Sequence, residues 1–203
     1  PIAFQTAADG TRRDVTVAYA LDASSRTYGF ALGAYDRTQP LVIDPLLQST
    51  YSGGGADDTP RAIMIHPATV DVYIGGGTFS TDYPGTAGGV QASLSGAGTI
   101  DAFVSRFNAA LTTRLQSTYL GGSADDEIHA IAIHPLTGDV YVAGETGSSN
   151  FAYAATGFQT TWSALKDGFV LSLTPDLMTV TGGTFLGATG QDSIYDLVIH
   201  PIS

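Results

Sequence analysis

An all-β fold is what these 203 residues predict, and three observations carry the prediction. The chain repeats itself at a spacing of 66–68 residues, and glycine-rich turns cut each copy into short apolar stretches. No stretch within a copy has the 3.6-residue periodicity of an amphipathic helix. Glycine contributes 25 residues and threonine is abundant, so turns and β-favouring side chains are both well supplied. Hydrophobic residues at 43% against 13% charged provide for a sizeable core and argue against wholesale disorder.

In chain order, residues 1–46 hold three strand-like stretches: VTVAYALD (15–22), YGFALGAY (28–35) and PLVIDP (40–45). The repeats follow. LQSTYSGGGADD (47–58) returns as LQSTYLGGSADD (115–126), and IMIHPATVDVYIGGG (63–77) as IAIHPLTGDVYVAGE (131–145), both 68 residues on. DAFVSRF (101–107) returns as DGFVLSL (167–173), 66 residues on. A third copy starts at TFLGATGQD (184–192) and reaches LVIHP (197–201). Within a copy the expected strands are STYLGG (117–122), IHAIAIHP (128–135), DVYVAGE (139–145) and DGFVLSLT (167–174). A Gly/Ser/Thr-rich stretch of about 20 residues separates the last two. Tandem four-stranded units, each needing a neighbour to cover its apolar face, predict β-propeller-type blades, two full and one partial, preceded by a small β segment. The expected divisions are 1–46, then 47–114, 115–180 and a partial 181–203.

These residues also carry a resemblance. STYLGGSADD, AIAIHPLTGDVYVAGET, a loop ending in GFQTT (157–161) and DGFVLSLTPDL (167–177) together resemble the SBBP, or seven-bladed β-propeller, repeat of bacterial and archaeal proteins. Residues 17–47 resemble the end of the β-rich domain that commonly precedes such repeats. The resemblance implies a secreted or surface-attached protein without enzymatic activity. The chain opens at Pro1 rather than Met, which suggests processing or a piece of something longer.

Composition narrows the function classes. A net charge of −11 argues against nucleic acid and anionic membranes as partners, since both call for a basic surface. The absence of cysteine removes disulfides, iron–sulfur clusters and thiolate zinc sites. No apolar run approaches the roughly 18 residues that insert into a membrane.

The acidic pairs Asp57–Asp58 and Asp125–Asp126, with Asp192 in the third copy, follow glycine-rich turns. Such carboxylates either accept turn N–H groups or converge on a hard cation, which makes Ca²⁺ the candidate cofactor. His66, His134 and His200 recur before Pro, where capping of the turn is the favoured reading over metal ligation. His129, replaced by Arg61 and Tyr195 in the other copies, reads as an ordinary strand residue. Asp101 and Asp167 are repeat equivalents at the start of one strand, which explains them without catalysis. No nucleophile elbow, zinc-protease helix or phosphate loop occurs.

The loop aromatics Trp162, Tyr153 and Tyr83 are the candidate ligand-binding residues, through ring stacking on a sugar or a partner protein, while the favoured reading of Trp162 is that it folds back to cap its own blade. The expected function is a structural or adhesion module, extracellular or on the cell surface. It would assemble with itself or other proteins into a ring or filament. The alternative is a propeller module that binds surface glycans or proteins through its long loops.

Overall fold

The computed structural model describes residues 1–22, 27–44, 49–163 and 165–200. The chain forms two compact units, Pro1–Ser49 and Thr50–Ser203. The expected boundary between residues 46 and 47 lies outside the described residues.

In the first unit, β1 (Ile2–Thr6) is central, flanked by antiparallel β2 (Arg12–Val15) and β5 (Val42–Asp44). A separate antiparallel pair joins β3 (Val17–Asp22) and β4 (Thr27–Leu32). The stretch read as one strand over 15–22 is therefore divided at Thr16, with Val15 in one sheet and Val17 in the other. Gln5 is buried, and its amide nitrogen donates to the carbonyls of Asp36 and Gln39 while its Oε1 accepts from the Asp36 N–H. That amide pins the turn before β5 to the sheet.

The second unit contains two four-stranded antiparallel sheets. The first runs β6 (Asp58–Ile65), β7 (Val72–Thr78), β8 (Asp101–Phe107), β9 (Arg114–Leu120). Its counterpart runs β10 (Asp126–Ile133), β11 (Val140–Thr146), β12 (Asp167–Leu173), β13 (Val180–Leu186). The expected grouping of strands is corrected here. The STY-containing strand pairs backward, Phe103 opposite Tyr119 and Phe169 opposite Phe185, so each sheet takes its fourth strand from the next copy. Residues 184–186 consequently complete the second sheet and do not begin a third. Beyond them, residues 187–200 form no strand and make an isolated bridge at Gln191 with Lys166.

The sheets stack through β10, whose Ile131 and Ile133 are 4% and 8% exposed. Gly75 makes room for this approach: a Cβ there would lie 2.9 Å from Ile131 Cδ1 and 3.1 Å from Ile128 Cγ2. One core runs through both sheets, from Tyr73, Ala102, Val104 and Leu120 to Val140, Val142, Leu171 and Leu173. Polar contacts close the rim. Tyr73 donates to the Pro175 carbonyl at 2.7 Å, Arg106 reaches the same carbonyl and pairs with Asp71, and Tyr153 donates to Gln91 Oε1. Among the described residues, no helix is long and apolar enough to cross a membrane.

Candidate functional site

The long loops between the second and third strands of each sheet fold back onto their own sheet. Tyr83 is 2% exposed, with its ring 4.5 Å from Phe103 and 6.2 Å from Tyr119. Phe151, 68 residues on, sits 4.9 Å from Phe169 and 6.2 Å from Phe185 in the second sheet. The expectation that Tyr83 offers an exposed ring is corrected by this packing: burying an aromatic ring stabilises more than displaying it. Tyr153 is half-buried, edge-on to Phe151. Trp162 is half-buried and packs against the core, in the place where Leu94 packs on the first sheet. Among the described residues the most exposed aromatic side chains are instead Tyr51 at 100%, Phe158 at 98% and Tyr195 at 72%.

The acidic residues organise turns. Asp58 Oδ2 accepts from the Gly54 N–H at 2.8 Å, Asp126 Oδ2 from Gly122 at 2.7 Å, and Asp192 Oδ2 from Ala188 at 2.8 Å. Ser80 and Ser148 donate to Asp58 and Asp126 in the same way. Asp125 Oδ1 accepts from Ile100 N–H, and Asp57 is exposed. These carboxylates do not gather into a group of three ligands among the described residues. Burial pushes the Asp126 carboxyl up to about 7, against hydrogen bonds from Thr146, Gly122 and Ser148 that favour its charge.

Asp101 and Asp167, both fully buried, sit in a second recurring arrangement. Gln91 and Gln159 donate to them, Ser95 and Ser163 N–H groups do likewise, and the two glutamines accept from Gly121 and Gly187. Asp101 is pushed up by burial and is held in a structural hydrogen-bond frame. His66 Nδ1 accepts from the Ala68 and Thr69 N–H groups, and His134 Nδ1 from Leu136 and Thr137, so both histidines cap the turns that follow them.

One group of side chains departs from the repeat. β6 and β10 each carry a β-bulge, between Pro60 and Ala62 and between Ile128 and Ala130, so Arg61 and His129 are the inserted residues. A bulge re-aims the inserted side chain. His129 was expected to be an ordinary strand residue, yet it turns toward Glu145, with Nε2 3.6 Å from Oε2 and without a hydrogen-bond partner. Glu127 joins them, and one ligand atom from each of the three lies within 4.8 Å of the others.

Arg61 pairs with Glu127 at 3.0 Å from the neighbouring sheet, Lys166 with Glu145 at 2.5 Å, and Ser193 also donates to Glu145. Burial pushes the Glu145 carboxyl up, but Lys166, Ser193 and His129 outweigh it and hold it below the usual range. Tyr195 stacks on the His129 ring at 4.9 Å. Sequence reasoning missed Glu127 and Glu145. The available signal was that residues 127, 129 and 145 all differ from their counterparts Thr59, Arg61 and Gly77.

In comparison with known proteins, residues 1–46 match the family described as a domain of unknown function, DUF7948. No curated protein matches the chain.

Proposed function

We propose that the chain is a non-enzymatic structural or adhesion module of an extracellular or cell-surface protein, built from β-propeller-type repeats of the SBBP kind. In this reading its sheets stack in series, and a further sheet from a neighbouring copy continues the series. The observation that carries it is a contrast within the repeat. Ile63 and Ile65 of β6 are 68% and 56% exposed, whereas their equivalents Ile131 and Ile133 are covered by the first sheet. Tyr51 is fully exposed, whereas Tyr119 and Phe185 at the same place are 0% and 3% exposed.

A groove lined by Tyr51, Pro60, Ala62, Ile63 and Ile74 runs along this face. Soluble proteins rarely leave such apolar strand faces open unless something docks there. Inward packing of Tyr83, and of Trp162 against the core, favours this reading over a sugar site on the loops.

Light scattering of the chain over a concentration series tests the proposal. The expected result is a native mass that grows above that of one chain, and a loss of that growth in the Ile63→Glu/Ile65→Glu double variant. A monomer at all concentrations, or undiminished association of the double variant, contradicts it.

A further inference from the structure

We propose that Glu127, His129 and Glu145 form a binding site for a divalent transition-metal ion of the zinc type. Imidazole nitrogen with two carboxylate oxygens is a donor set that such borderline ions accept, and three protein ligands leave a fourth position for water. The His129 side chain retains only 9% of its exposure, and its buried Nε2 faces the carboxylates without a hydrogen-bond partner. A buried nitrogen left unsatisfied costs free energy that coordination would recover.

The three ligand atoms are mutually within 4.8 Å. Tetrahedral zinc, with bonds of about 2.0 Å, holds its ligands roughly 3.3 Å apart. Small rotations of the two glutamate side chains close that difference, because both carboxylates sit at the ends of flexible stems.

The pattern of the repeat makes the same point independently. Elsewhere in the chain this place holds Thr59, Arg61 and Gly77, or Ser193 and Tyr195, which cannot form such a donor set. Three separate departures from the repeat therefore meet at one spot. The counter-charges present are Arg61 on Glu127 and Lys166 on Glu145. Lys166 is 32% exposed, so its ammonium can swing into water when an ion takes Glu145. Lys166 thus competes with the metal, while Arg61 anchors Glu127 from the neighbouring sheet.

Titration of the full chain with Zn²⁺ by calorimetry, and with Co²⁺ as a visible-absorption probe, tests the site. One ion per chain is expected, with a four-coordinate cobalt spectrum that zinc abolishes. His129→Ala and Glu145→Gln should each weaken zinc binding roughly tenfold or more. Lys166→Met keeps all three ligands and should tighten it. A wild-type chain that gives no zinc-sensitive cobalt spectrum overturns the proposal. So does binding that neither ligand variant weakens, or a Lys166→Met chain that binds zinc no more tightly than wild type.

Discussion

Asp126 shows how burial at one residue reaches the stability of the chain. Its carboxyl, buried beside two glycine-rich turns, is pushed up to about 7, above the value near 3.9 of an unfolded aspartate. The neutral form therefore favours the folded state. The stabilisation is complete below about pH 4 and is lost as pH rises through 7. Thermal melts from pH 8 to pH 5 should rise more steeply for wild type than for Asp126→Asn, whose amide does not titrate. Parallel slopes in the two proteins would contradict this account.

Residue identity was only partly legible in the sequence. The capping histidines and turn-forming aspartates could be read because their spacing before Pro or after Gly has a local physical cause. Trp162 could be read as folding back on its own sheet, because large aromatics are usually mostly buried. Tyr83 could not, because a Gly/Ser/Thr-rich stretch has no periodicity to tell which side chains turn inward, and its 68-residue partner Phe151 was the clue.

At the scale of the strand, the repeat period was legible and its phase was not. Self-comparison locates equivalent residues, but hydrogen bonding across a copy boundary decides which four strands share a sheet. Periodicity of 2 within STYLGG fits pairing on either side. In the structure Ser105 of β8 faces Ser117 of β9, with their hydroxyl oxygens 2.7 Å apart. Paired strands hold such residues about 4.5–5.5 Å apart at Cα, within the range a disulfide accepts. The chain has no native cysteine, so the pair can be introduced cleanly. Ser105→Cys/Ser117→Cys should cross-link within one chain on mild oxidation, visible as a mass loss of two hydrogens. Free thiols after oxidation of the folded variant would place β9 elsewhere. The bulges at Arg61 and His129 were equally hidden, because an inserted residue leaves no mark on composition.

At the scale of the molecule, stability in the unit Thr50–Ser203 depends on neighbours. β10 is buried because the other sheet of the unit lies against it, whereas β6, which shares the apolar run Ala62–Ile65 in pattern with Ala130–Ile133, has no sheet of that unit on the same face. Repeat arrays behave this way generally, since each unit contributes an interface as well as its own sheet. The all-β class was legible from composition and turns. The difference in exposure between Ile63 and Ile131, or Ile65 and Ile133, was not, because the same residue in the same repeat position predicts the same burial and the presence of a neighbouring sheet is not written in the strand.

Amide hydrogen exchange comparing Asp58–Ile65 with Asp126–Ile133 tests this central claim most directly. In dilute chain, amides of β10 should be protected well beyond those of β6, and the protection of β6 should rise toward that of β10 as concentration increases. Equal protection of the two strands in dilute chain, or a β6 that stays open at every concentration, would contradict the account.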